Sequence, residues 1–354
     1  MKAFAAVTIG LLAASTSPAC AVERPPQFVA IAFDNCTELE RWQELSDFAG
    51  GLNRDGDRIH FTFFVSGINY LAEEKRAAYE GPHQRRGASN INFGGSVEDV
   101  KKRIAFINDL HARGHEIASH AVGHFDGRGW SAADWDKEFT SYADLLDNAP
   151  RHNGFSDGTK LAFPAAAVIG FRAPYMSTSP GLYPALRARG FRYDTSSTSE
   201  ASLWPEQKEG VWRFNLADLK LHRSNRHTLS MDYNFFIVQA FGLDNSGTRA
   251  QHRDEMLETY VDYFKANYAG DRAPLNIGHH FFNYHGGAYN EALKAFARAV
   301  CGLPEVRCVS YVELADFMDK LDPATLEAFR KGDFEHRKAP DIDISNAFAR
   351  AAKP

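Results

Sequence analysis

The stretch Gly114-His-Glu-Ile-Ala-Ser-His120-Ala-Val-Gly-His124 joins a short apolar run to two histidines four residues apart. Residues 115–118 have the length and composition of a buried strand. Two imidazoles just past such a strand can close on one divalent metal ion. One pair at that spacing among 14 histidines is weak evidence alone. The rest of the chain repeats the arrangement. Apolar runs at 28–33, 168–171, 191–194 and 275–280 carry Asp34, Arg172, Asp194 and His280 at or just beyond their ends. In a parallel α/β barrel the C-terminal ends of all strands open on one face, where active sites are built.

Further strands are expected at 59–65, 211–214 and 307–311, with helices at 96–113, 133–146, 180–189, 254–268 and 288–300. In the first of these helices Val97, Val100, Ile104, Ile107 and Leu110 keep helical period, Ser96 caps the start, and Glu98 and Asp99 fill the first turn. Strands alternating with helices imply βα units and a mainly parallel sheet. No repeat, low-complexity tract or long linker divides the chain. One domain is therefore expected over 22–320, with a C-terminal helix and charged tail over 321–354.

Residues 1–21 read as a secretory signal: Lys2, an apolar stretch at 4–14 too short to span a membrane, and Ala19-Cys20-Ala21 as a small-x-small cleavage site. Export to a periplasmic or extracellular space is expected. Lipidation of Cys20 is the lesser alternative, because Ser17 stands where such sites carry Leu. The chain has 40 basic and 45 acidic residues, a net charge of -5, and cleavage would remove only Lys2. Such a mixed, mildly acidic surface excludes an electrostatic footprint for nucleic acid or anionic membrane. No later segment is apolar enough for a transmembrane helix. Cys301 and Cys308 flank the turn Gly302-Leu-Pro304 and are expected to pair after export, leaving Cys36 as a small buried thiol. Aromatic residues make up 13% of the chain, enough for a large core and for exposed platforms under sugar rings.

Gly-His-Glu-Ile-Ala-Ser-His120-x-x-x-His124, Phe33-Asp34-Asn35 and Arg172-Ala-Pro174-Tyr175 together resemble the signature of the polysaccharide deacetylases, the NodB-homology group of carbohydrate esterases. The resemblance covers most of residues 25–320. It implies a distorted parallel (β/α) barrel and hydrolytic removal of acetyl groups from an amino-sugar glycan. It also implies a divalent metal, Zn²⁺ first and Co²⁺ or another transition metal next, held by His120, His124 and residue 35. Asp34 would serve as general base and Arg172 would orient it. The Tyr175 N–H, on a turn stiffened by Pro174, would meet the developing oxyanion. The family's second aspartate is Asn35 here. An amide oxygen can coordinate but carries no charge, so metal should be held more weakly. Alternatively Asp34 is itself the ligand and the base stands elsewhere.

Asp194, in Tyr193-Asp-Thr-Ser-Ser, resembles the fourth motif, whose carboxylate buttresses a charged catalytic residue; a strand-end cap is the competing reading. Trp204 is either the apolar wall for the acetyl methyl or a core residue. His279 and His280 resemble the last motif, whose histidine protonates the departing amine. A strand alternates its faces, so one of the two points at the site. His280 is the expected acid and His279 the reserve. Ser230-Met-Asp232-Tyr-Asn234 reads as a turn beside a strand, with contact to sugar hydroxyls the lesser alternative. Two other functions fit the same residues: hydrolysis of another non-peptide amide on the same scaffold, and a secreted carbohydrate-binding protein in which Asn35 has cost the activity.

Overall fold

A computed structural model of the chain describes residues 22–35, 39–54, 56 and 59–335. The expected signal segment, Cys36 and the end of the tail lie outside the described residues.

The main sheet is built from β1 (Gln27–Asp34), β2 (Thr62–Val65), β3 (Glu116–Ser119), β4 (Gly170–Phe171), β5 (Tyr193–Asp194), β7 (Glu206–Lys208), β8 (Val211–Arg213), β11 (Leu275–His280) and β12 (Val306–Val309). Its order is β11-β1-β2-β3-β4-β5-β8-β7, and every pairing is parallel except β7 with β8. The strand β12 pairs with the first half of β1, and Cys308 bridges to Ile59 just before β2. It is thus wedged into the sheet and distorts it. Strands β6 (Thr198–Glu200), β9 (Leu216–Lys220) and β10 (His227–Leu229) form a second sheet, and the residues after β10 reach β11 through a Met231–Gly278 bridge. The result is a curled, mostly parallel half-barrel of the expected class.

Every residue of β1, β2 and β3 is buried, as strands covered on both faces require, and successive side chains go to opposite sides of the sheet. Along β1, Val29, Ile31 and Phe33 join the core under the helices, while Phe28, Ala30 and Ala32 join a second cluster inside the barrel with Phe64, Ala118, Tyr193 and Tyr311. The helical layer comprises α1 (Leu39–Arg54), α2 (Val97–Ala112), α3 (Ala132–Asp147), α4 (Ala149–Asn153), α5 (Leu182–Ala188), α6 (Asp232–Ala240), α7 (Arg249–Ala269), α8 (Ala288–Val300), α9 (Tyr311–Met318) and α10 (Pro323–Lys331). Ser96, Ser131 and Ser310 close capping boxes with Asp99, Asp134 and Glu313, which satisfies the first N–H groups of α2, α3 and α9. Cys301 and Cys308 form the expected disulfide between α8 and β12. The last helix, α10, sets Phe329 against Trp204 and Phe317. No described helix is long and apolar enough to cross a membrane.

Candidate active site

The same alternation decides which side chains enter the barrel mouth. Asp34 shares parity with Ala30 and Ala32 on β1, and His120 shares it with Ala118 on β3, so both face inward. Across the β1–β11 ladder Asp34 is opposite His280, and Phe33 is opposite His279. Arg172 follows Phe171, which packs under the helices, so it too points into the barrel.

Arg172 Nη1 donates to Asp34 Oδ1 at 2.7 Å, with both side chains almost fully buried. Its Nε donates to Thr195 Oγ1 at 2.7 Å, and its guanidinium lies 4.3 Å from the centre of the Phe64 ring. Burial works against the charge of Arg172, and the neighbouring Asp34 carboxylate more than offsets it. The carboxylate is therefore held in one orientation at the strand end.

His120 and His124 have ring centres 5.1 Å apart. The backbone N–H of His120 donates to the Val65 carbonyl, and its ring Nδ1 lies 2.8 Å from the Arg172 carbonyl oxygen. A carbonyl can only accept, so Nδ1 carries the proton and Nε2 keeps its lone pair. Burial lowers the pKa of both rings, that of His124 to about 3 with His120 adding to the shift. Both are neutral at pH 7, the state that coordinates metal. His124 Nδ1 is buried with no hydrogen-bond partner. Asn35 Oδ1 accepts from Ser66 Oγ at 3.1 Å. Among the described residues no three His, Cys, Asp or Glu side chains form a metal-ligand group. Two neutral imidazoles and an amide oxygen are a donor set of the kind a divalent transition metal takes.

On the other side, His280 Nδ1 lies 2.7 Å from Asp232 Oδ1, and the His280 backbone N–H donates to Asp232 Oδ2 at 2.9 Å. Burial opposes protonation of His280, but the buried Asp232 overcomes it and raises the pKa above the usual imidazole value. Asp232 in turn stays ionised against its burial because His280 lies beside it. Sequence reasoning missed this residue by reading 230–234 as a turn. They form the entry to α6, and Asp232 is its first residue. An acidic residue opening a helix, with an apolar run behind it, was the available signal.

Three residues for which the sequence left alternatives now have their places. Asp194 touches no charged side chain of the site. Tyr193 occupies the barrel interior, so Asp194 faces outward, where it accepts from Tyr183 of α5 at 3.0 Å and from Ser196. Its influence is indirect, since Ser196 Oγ accepts the Ala173 N–H of the Arg172 turn at 2.7 Å. His279 is fully buried in the helical-side core, with Nε2 3.1 Å from the Tyr260 hydroxyl, and burial lowers its pKa to about 4. Trp204 packs against Phe329, away from the mouth, with its N–H on the Asp271 carbonyl.

The loops at the mouth hold strained backbone. Asn35, Ala121, His124, Tyr175 and Met176 all have φ between 53° and 56°, a left-handed region unfavourable for residues with a Cβ. Such strain gathers where surrounding contacts dictate side-chain direction. Tyr175 is 59% exposed, with its ring 4.6 Å from His124. Tyr233 and Phe282 are 47% and 52% exposed, at 6.3 and 5.9 Å from the His280 ring. Aromatic faces thus flank the mouth on both sides.

No family model matches the chain. Its structure is similar to that of a Mycobacterium smegmatis chain assigned as a polysaccharide deacetylase, with 17% identity, a TM-score of 0.52, and coverage of 87% of this chain and 96% of that one. A carbohydrate esterase family 4 pseudoenzyme from Bacillus anthracis gives 10% identity and a TM-score of 0.41, over 82% and 66% of the two chains. In sequence, 149 residues are 26% identical to chitin deacetylase 1 of Bombyx mori, which is 41% of this chain but only 26% of that protein's length. The fold is that of the polysaccharide deacetylases.

Proposed function

We propose that this chain is a metal-dependent deacetylase of the NodB-homology type, contained in residues 22–320, that hydrolyses the N-acetyl groups of an amino-sugar glycan. One observation carries the reading: two buried ion pairs of opposite sense, Arg172–Asp34 and Asp232–His280, face each other across one step of the β1–β11 ladder beside a neutral histidine pair. One pair presents a carboxylate held by a cation; the other presents an imidazolium held by a carboxylate. That is the division between base and acid that amide hydrolysis needs.

His120, His124 and Asn35 would hold the metal, Zn²⁺ by donor preference. Bound there, it would supply Lewis acidity toward the acetamide oxygen and a water acidic enough to be deprotonated near neutral pH. Asp34 Oδ2, free of the Arg172 bond, takes the proton from the attacking water. Arg172 keeps the carboxylate aimed and Thr195 keeps Arg172 from turning. The Tyr175 N–H is presented by a stiff turn to the oxyanion side. His280 gives its proton to the amine nitrogen as the C–N bond breaks, and Asp232 holds it protonated until then. Products are acetate and a free amino sugar.

Tyr175, Tyr233 and Phe282 offer exposed ring faces suited to the CH faces of pyranose rings, which supports a saccharide over a small amide. The Cys301–Cys308 disulfide supports export to an oxidising space. Acetate release from a panel of N- and O-acetylated saccharides, set beside small amides and imides, tests the proposal. Release from acetylated amino sugars that is lost in Asp34→Asn is expected; release only from small amides would move the chain to another C–N hydrolase class.

A further inference from the structure

We propose that Glu138, on α3 and outside the catalytic mouth, is the positioning residue that sets the geometry of the His120–His124 loop. It is fully buried, 0% exposed. Its Oε1 accepts the consecutive backbone N–H groups of Val122 and Gly123 at 2.9 and 3.3 Å. The Tyr79 hydroxyl closes on the same carboxylate at 3.1 and 2.9 Å. Two successive amides converging on one anion form a concave nest, which fixes the dihedral angles that point both N–H groups inward.

The loop needs such a hold. Ala121 and His124 both sit at positive φ, and they bracket the two residues that Glu138 grips. Gly123 admits no side chain, because a Cβ there would meet Phe125 at 2.6 Å and Tyr79 at 2.8 Å. The carbonyl side is held separately. Ala121 and Val122 carbonyls accept from Gly67 and Ile68 N–H, and the Gly123 carbonyl accepts from the Asn90 N–H. The Asn90 side-chain amide reaches the His124 carbonyl at 3.1 Å. With these partners in place, the N–H groups of Val122 and Gly123 depend on Glu138. Without it they would be buried donors with no acceptor, and the strained loop would relax. Outer partners that orient metal ligands are worth about 10–100-fold in affinity when removed.

The inference rests on His120 and His124 being ligands, so two readouts are taken, one independent of metal. Glu138→Ala, Glu138→Gln and, as a control for loss of α3 packing, Leu145→Ala (Leu145 is 2% exposed) are compared with wild type. Backbone amide exchange over residues 120–124 is measured in metal-free protein, and zinc affinity by competition with a chromophoric chelator. Glu138→Ala is expected to speed loop exchange and weaken zinc binding, each by about tenfold or more. Glu138→Gln keeps an acceptor oxygen and should stay within about threefold of wild type. Leu145→Ala should lower Tm while leaving zinc affinity and relative loop exchange unchanged. If Glu138→Ala merely follows Leu145→Ala, the proposal is wrong. Should Glu138→Ala not fold, Tyr79→Phe, which frees one side of the carboxylate, should loosen the loop about threefold; no change there overturns the proposal. A wild type that binds no zinc would defeat the ligand reading, while the exchange data would still decide the role of Glu138.

Discussion

Asp232 turns both carboxylate oxygens toward His280, one to the ring and one to the backbone N–H, and Oδ1 also accepts the Tyr233 N–H at 2.7 Å. Asp232→Asn keeps the volume and removes the charge that raises the His280 pKa. The acid then deprotonates at lower pH, so the alkaline limb of the rate profile should move to lower pH and the rate near neutrality should fall about 10²-fold. A pH–rate profile with an unmoved alkaline limb would rule out the pairing. On the other side of the mouth, the missing charge is at Asn35. Asn35→Asp should tighten zinc binding, because a carboxylate partly neutralises a dication and an amide does not. Turnover is left open, since a second charge beside Asp34 and a more neutralised metal oppose one another. Competition titration of the apo proteins checks it; equal dissociation constants would take residue 35 out of the coordination sphere.

Among the elements, β11 offers an internal control, because His279 and His280 are adjacent and face opposite layers. His279→Gln should lower stability by about 1–2 kcal/mol through the Tyr260 contact and leave the rate within about threefold. His280→Gln should cost about 10²-fold or more in rate and little stability. Urea denaturation together with initial rates separates the two, and the reverse pattern would put His279 in the site. The alternation that distinguishes them could be read from the chain, as could the eight strands at 28–33, 59–65, 115–118, 168–171, 191–194, 211–214, 275–280 and 307–311. Each was an apolar run long enough to be buried on both faces, and most ended on a polar residue. The second sheet was not legible. Its strands have three to five residues, and β6 has no buried residue, so no clear apolar period marks them. Helix α1 was missed because Gly50-Gly51 interrupts the pattern of Trp42, Leu45, Ala49 and Leu52. Asp232 escaped because its partner lies 48 residues away on another element. Asp194 misled for the converse reason: it ends a strand, but on the wrong face.

At the scale of the whole molecule, neutral buried histidines tie stability to pH. Burial lowers the pKa of His115 to about 4, His279 to about 4 and His124 to about 3. Each binds its proton more readily when unfolded, near 6.5, so its contribution is intact above that value and is lost as pH falls toward the folded pKa. Glu116 works the other way. Burial raises its pKa to about 7, so its contribution is present at low pH and lost as pH rises from 4.5 through 7. His120 and His252 are lowered likewise, and Glu138, Asp194 and Asp271 are raised like Glu116, so five histidines against four carboxylates leave stability falling with acid below about pH 6. Urea unfolding from pH 7 to 4.5 should show a decreasing midpoint with net proton uptake on unfolding; a flat or rising midpoint would contradict the buried-neutral assignment. Asp34, His120, Arg172 and His280 stand at the ends of four separate strands and meet at one mouth only because the barrel places the C-terminal ends of its parallel strands together. Whether that mouth is a metal-dependent deacetylase is decided most directly by acetate release from N-acetylated amino-sugar oligomers before chelation, after it, and after zinc is returned. Release that is abolished by the chelator, restored by Zn²⁺ and absent in His120→Ala at every stage is expected. Undiminished release from metal-free protein, or none from the zinc-loaded enzyme on any acetylated saccharide, would contradict it.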